Sequence, residues 1–153
     1  MKRAILVILA GALLFAAGCA SGSSKTVNTE EAAKKLISSI CFADQMSKID
    51  SKTALQLYGL EESTVAKADV YESTGATAEE VAVFEAKDEA SAAKVKEGAQ
   101  KRIEDQRAGY TDYQPQEMKK LKSPVLVQSG KYVILCVSDD DAGAQKIIDE
   151  LLK

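Results

Sequence analysis

The chain has 153 residues with 20 basic and 23 acidic side chains, a formal charge of −3, 5% aromatics, no tryptophan and no histidine. The missing histidines exclude Ser-His and Cys-His nucleophiles, imidazole zinc sites and the usual pH switch. A mildly acidic balance without a basic stripe argues against nucleic acid as a partner, and the absence of indole argues against an aromatic carbohydrate cleft.

Met1-Lys2-Arg3 places two positive charges before an apolar or small-residue run from Ala4 to Gly18. The run is too short to span a membrane and has the layout of an export signal. It closes Leu14-Phe15-Ala16-Ala17-Gly18-Cys19. That stretch resembles the bacterial lipobox, which implies cleavage before Cys19 and transfer of diacylglycerol to its thiol. Two acyl chains anchor stably where one is marginal. The expected organisation is a signal peptide over 1–18, a lipidated cysteine and flexible tether over 19–27, and a single domain over 28–153. Ser21-Gly22-Ser23-Ser24 supplies the flexibility. Cleavage removes Lys2 and Arg3 and so carries the charge from −3 to −5, in a length sufficient for one domain with a core. Uncharged Ala20 looks like the default outer-membrane class if the cell has two membranes; with one, the protein faces the wall. The expected location is the extracytoplasmic face of a cell membrane.

Asn28-Thr29-Glu30-Glu31 reads as a capping box opening a helix, with Ala33, Leu36, Ile37, Ile40 and Cys41 recurring at helical spacing. Asp50 or Ser51 caps a shorter helix through Leu57, and Gly59 suits its C-terminal end. Two hairpin-then-helix units follow. The first has strands near Ala68–Ser73 and Glu80–Ala86 and a helix from Asp88 to about Ala108. The second has strands near Pro124–Ser129 and Lys131–Ser138 and a helix from about Asp140 to Leu152. A shift of 52 residues lays Val81 on Val133, Asp88 on Asp140 and Val95 on Ile147. Duplication and convergent hairpin–helix grammar explain this equally well. The fold class expected is α+β: an antiparallel four-stranded sheet from two ββα units, both of their helices on one face. The strand Val133–Val137 is apolar on both faces, so the N-terminal helices are expected to cover the second.

Tyr58-Gly59-Leu60, Ala78 to Val83, the stretch from Arg102 through Gln106, Tyr110, Tyr113 and Pro115, and Gly130-Lys131-Tyr132-Val133 together resemble a family of small uncharacterised lipoproteins of Gram-positive anaerobic bacteria, a domain of unknown function. The resemblance runs over most of residues 30 to 150. It implies a lipid-anchored surface protein in a Gram-positive host and brings no catalytic or binding residue with it.

The candidate binding residues are Gln106, Tyr110 and Tyr113. Gln106 falls on the apolar stripe Ala92, Val95, Ala99, Ile103, Gln106, Tyr110, so an amide points where burial is expected. The helix is expected to end at Gly109, leaving Tyr110 to Tyr113 as a loop. An amide beside two phenols could take a polar ligand or a partner's backbone. The plainer reading, which we prefer, has Gln106 bonded to loop backbone while the tyrosines pin the loop. Asp139-Asp140-Asp141 lacks an oxygen ligand and a glycine where a calcium loop needs them, so helix capping accounts for it. Ser91 and Lys94 have a serine–lysine spacing without the further motifs of penicillin-binding enzymes. Glu61-Glu62 and Glu79-Glu80 read as solvated surface and Lys120 as an exposed lysine. Cys41 and Cys136 read as two small buried hydrophobes, with a disulfide as the alternative permitted by export. No cofactor or metal is expected. The partners expected are the membrane, through Cys19, and a protein or cell-wall component. A non-catalytic surface module leads; an enzyme or accessory subunit built on carboxylates, serine or lysine is the rival, and a structural spacer a third reading.

Overall fold

The computed structural model describes residues 26–153, so the expected signal peptide, Cys19 and the expected tether up to Lys25 lie outside the described residues. In chain order the elements are α1 (Thr29–Ser39), β1 (Ser47–Lys48), α2 (Ser51–Leu57), β2 (Val65–Glu72), β3 (Glu80–Ala86), α3 (Glu89–Tyr113), a 3-10 turn (Pro115–Glu117), α4 (Met118–Lys122), β4 (Val125–Ser129), β5 (Tyr132–Val137) and α5 (Asp141–Leu152). The strands form one antiparallel sheet in the order β1-β2-β3-β5-β4. The sheet therefore has five strands rather than four. The added strand, β1, is too short to leave an alternating signal.

Local chemistry sets the helix ends. Asn28 Oδ1 accepts from the Glu31 amide at 3.2 Å, Asp50 Oδ1 from Thr53 at 3.0 Å, Asp88 Oδ1 from Ser91 at 2.7 Å and Asp140 Oδ1 from Gly143 at 2.9 Å. Each carboxylate or amide satisfies one of the donors a helix start leaves free. After α2, Gly59 takes φ +62°, and the amides of Gly59 and Leu60 reach back to Gln56 and Leu55. That paired closure is the Schellman motif, and it needs the left-handed residue that glycine supplies.

The core has two layers of side chains, one on each face of the sheet. Ala82, Phe84, Val133 and Leu135 face α2, α3 and α4. Val81, Val83, Ile134 and Cys136 face α1 and α5. The two helices of the hairpin–helix units thus lie on opposite faces, against expectation. Because β3 and β5 are antiparallel neighbours, a two-fold axis relating the units would put both helices on one side. The units instead have opposite hands and do not superpose. The cause lies in β5, buried along its whole length and apolar on both faces, which offers a second core surface to Ala144 and Ile148 of α5. On that second face α1 is the one N-terminal helix; α2 joins α3.

Two further expectations are corrected. α3 runs through Gly109 to Tyr113, so Tyr110 and Tyr113 are helical rather than in a loop. A single glycine costs a helix about 1 kcal/mol and does not stop it. The stop comes at Gln114 (φ −142°, ψ 73°), because the ring of Pro115 excludes helical geometry from the residue before it. Cys41 is exposed, since α1 ends before it, whereas Cys136 is buried, and among the described residues both thiols are free.

Candidate functional site

The site lies where α3 returns over the start of β3. Glu72 of β2 and Glu80 of β3 are direct cross-strand partners. Like charges in that position repel, so a cation has to stand between them. The chain supplies it by length. β3 climbs about 23 Å at roughly 3.3 Å per residue, and α3 needs about 15 residues at 1.5 Å to come back. That distance lands on Arg102. Its Nη2 meets Glu72 Oε1 at 2.5 Å and Glu80 Oε2 at 2.7 Å, and its Nε donates to Glu80 Oε2 at 3.1 Å. One turn further along, Gln106 Nε2 donates to the same Glu80 Oε2 at 2.9 Å. From α2, the Tyr58 hydroxyl donates to Glu80 Oε1 while its ring stands edge-on to Phe84 at 4.8 Å. Glu80 is fully buried and takes three different donor side chains.

Its neighbour Glu79 organises a second buried cluster. Glu79 accepts from the amides of Ala43 at 2.9 Å and Asp44 at 3.0 Å and from Thr77 Oγ1 at 3.0 Å. Lys120 of α4 donates to Glu79 Oε1 at 3.1 Å and Glu117 Oε2 at 2.9 Å, and Glu117 in turn accepts from the Ala78 amide at 2.9 Å. Lys120 is only 3% exposed, which corrects its reading as a surface lysine. Glu79 and Glu80 are likewise core groups, not solvated surface.

Burial and charge shift the titrating groups. Burial, then the charge of Glu80, pushes the Tyr58 hydroxyl well above its ordinary value. Burial, then Glu80, also raises the Glu72 carboxyl. Burial works against the charge of Arg102, but the adjacent Glu80 and Glu72 outweigh it and hold the guanidinium more firmly protonated.

Between these groups and the 73–79 hairpin lies a cavity of about 180 Å³, lined in part by Glu72, Ser73, Arg102, Gln106 and Tyr110. The Tyr110 hydroxyl donates to Thr77 O at 2.5 Å and to Gly75 O at 3.2 Å, so it pins this hairpin. Gln106 reaches backbone only at Ala78 O, 3.5 Å away, and its Oε1 is buried without a hydrogen-bond partner among the described residues. Tyr113 touches the Tyr110 ring at 6.4 Å between centroids and is 70% exposed. Gln106 and Tyr110 therefore belong to one site, with Tyr113 at its rim. The preferred plain reading does not hold: residues 110–113 are helical rather than a loop, Tyr110 bonds the 73–79 connection instead, and the amide serves a carboxylate.

Glu72, Glu79, Glu80, Arg102, Glu117 and Lys120 were not among the candidates read from the sequence. One signal pointed to Glu80. It is in phase with Ala82 and Phe84 on an apolar strand, so period-2 alternation puts its side chain inward. Two larger clefts of about 470 Å³ each flank α3. One is lined by residues including Leu60, Lys94, Gly98 and Lys101, the other by Ile103, Arg107, Pro124 and Leu126. Neither gathers interlocked buried acids and bases as the hairpin end does. Burial pushes the Cys136 thiol up to about 12, which leaves it inert.

The family described as Domain of unknown function (DUF4358) matches residues 38–138, a span that includes every member of both buried clusters and stops short of α5. No curated protein and no solved structure matches the chain.

Proposed function

Given that the chain belongs to the DUF4358 family, whose description carries no activity, we propose that it is a lipid-anchored module on the extracytoplasmic face of a cell membrane that binds a partner without transforming it. In this reading Cys19 carries the diacylglycerol, the host is a Gram-positive anaerobe, and the Gln106–Tyr110–Tyr113 end of α3 is the binding face, open to a protein or cell-wall component.

The observation that supports binding over catalysis is how the ionisable groups are used. Arg102 is held by two carboxylates and Lys120 by three, and Glu80 receives three donors. A general acid or base must instead be free to exchange a proton with substrate. One observation favours the rival enzyme reading. Glu72 is partly exposed at the cavity with a raised carboxyl, the property of an acid–base group.

The test uses intact cells with a photoreactive residue at Tyr113 and a control at exposed Lys87, just past the far end of β3. We expect a discrete adduct at 113 and none at 87, and release of a Cys19→Ser variant from the membrane fraction. Equal labelling at both positions removes the binding face, and membrane retention of the variant with acyl label removes the anchor.

A further inference from the structure

We propose that the outer edge of β4 is a docking strand for an extended peptide of a partner protein, one that sets an apolar side chain opposite Leu126 and a carboxylate opposite Pro124. The surface does not include Tyr113, so the assignment goes beyond the proposed binding face and does not rest on it. It begins with the backbone. β4 ends the sheet, and among the described residues β5 is its one neighbouring strand. The Ala86 amide donates to Lys131 O at 2.8 Å, so Lys131, Val133, Leu135 and Val137 turn their backbone groups to β3. The alternate residues Tyr132, Ile134 and Cys136 turn theirs to Ser129, Val127 and Val125 of β4. The amides and carbonyls of Leu126 and Gln128 therefore point away from the sheet.

The two edges of the sheet differ in how they are guarded. An open edge invites pairing with another chain, and charges, bulges and short covering strands blunt it. At the other edge β2 carries Lys67 and Asp69, breaks register between Val65 and Lys67, and is covered in part by β1. β4 reads Val-Leu-Val-Gln-Ser, has no charge, and pairs in unbroken register from Val125 to Ser129. That edge is left able to accept a strand.

The cleft of about 470 Å³ beside β4 supplies the chemistry of the partner. Ile103 of α3, Pro124 and Leu126 give it apolar walls, and Arg107 and Lys122 stand there against Glu104, so its lining carries one more positive than negative group. Arg107 donates to the carbonyls of Leu121 at 2.8 Å and Lys122 at 3.2 Å rather than to a carboxylate, and the Lys122 side chain is exposed. Directly opposed residues of paired strands share a face, so a residue opposite Leu126 lies on the cleft side. In an antiparallel peptide the second residue after it stands opposite Pro124, where a carboxylate meets Arg107 and Lys122. A second copy of this chain fits worse. Pairing β4 with β4 through Leu126 and Gln128 brings Lys122 of each copy up to Lys131 of the other, and like charges across a pair repel.

The experiment is an NMR titration of the full chain in non-ionic detergent, following the shifts and hydrogen exchange of the Leu126 and Gln128 backbone amides. The probe is the peptide acetyl-Thr-Val-Ile-Thr-Glu-amide, set against the same peptide ending in Lys and the same peptide N-methylated at Ile. The expected result is saturable shifts and slowed exchange at both amides with the Glu peptide, and binding weaker by about threefold or more with the Lys peptide. The methylated peptide, whose Ile nitrogen cannot donate to Leu126 O, should give neither effect. In Lys122→Glu, a change at an exposed side chain, the preference between the Glu and Lys peptides should reverse. No saturable response to the Glu peptide, equal binding of the methylated peptide, or equal binding of the Glu and Lys peptides to the wild type overturns the assignment. Protection of the two amides without peptide that rises with protein concentration gives the edge to a second copy and overturns it as well.

Discussion

The two hairpin–helix units follow one local grammar and end as different objects. In the second, Gly130 at φ +53° closes a two-residue turn, and α5 stops after 12 residues. In the first, the connection runs over 73–79, and α3 continues for 25 residues. The extra length of α3 carries Arg102, Gln106, Tyr110 and Tyr113 past the middle of the sheet and over the longer hairpin. At the residue that the shift of 52 equates with Glu80, the second unit has Tyr132, whose buried hydroxyl has no hydrogen-bond partner among the described residues. A polar site thus arises where a helix outruns its strand and a hairpin is long enough to fold beneath it.

The sharpest way to break that comparison is to remove the equated residues. Glu80→Ala leaves Tyr58, Gln106 and part of Arg102 unpaired in the core and should destabilise the fold by about 3–5 kcal/mol in urea unfolding. Tyr132→Phe deletes a hydroxyl that has no partner among the described residues and should change stability by less than about 0.5 kcal/mol. Similar effects from the two would show that Glu80 does not organise the first unit.

A smaller contrast lies within α3. A Cβ on Gly98 would stand 2.6 Å from the backbone oxygen of Tyr58, so Gly98→Ala should cost about 1–3 kcal/mol as α2 is pushed away. At Gly109 nothing lies within 4 Å, and Gly109→Ala should stabilise by up to about 1 kcal/mol. Thermal melts of the pair separate the packed half of the helix from its overhang.

The smallest effect concerns the start of α3. The hydrogen bond from the Ser91 amide holds the Asp88 carboxyl below its ordinary value. A depressed acid stabilises above its unfolded pKa, and the contribution disappears as pH falls through the folded value. Stability should therefore drop below about pH 4. Asp88→Asn, which still caps, should flatten that part of the curve. An unchanged acid limb would mean that the cap does not contribute to it.

Most element boundaries were legible because they follow from neighbours in the chain. Asp50 and Gly59 bracket α2, Glu80–Ala86 is β3 as expected, and Asp140 caps α5. The short β1 and α4 were missed, as was the run of α3 beyond Gly109. Two or five residues show no period, and glycine is a weaker stop than the proline that follows. Of the site, Gln106 was legible as an amide on an apolar stripe. Glu79 and Lys120 were not, because acidic and basic residues look solvated until a partner 41 positions away is brought alongside.

By itself the sequence determined the capped helices, the hairpins and the strand apolar on both sides, since each depends on hydrogen bonds and side-chain alternation within a few residues. The tertiary structure decided which face each helix took, and with it the opposite hands of the two units. It also decided that four carboxylates, an arginine and a lysine would share one end of the sheet. The physical reason is that a buried charge is tolerated only beside its partners, and those partners meet through strand order and helix length rather than through sequence spacing.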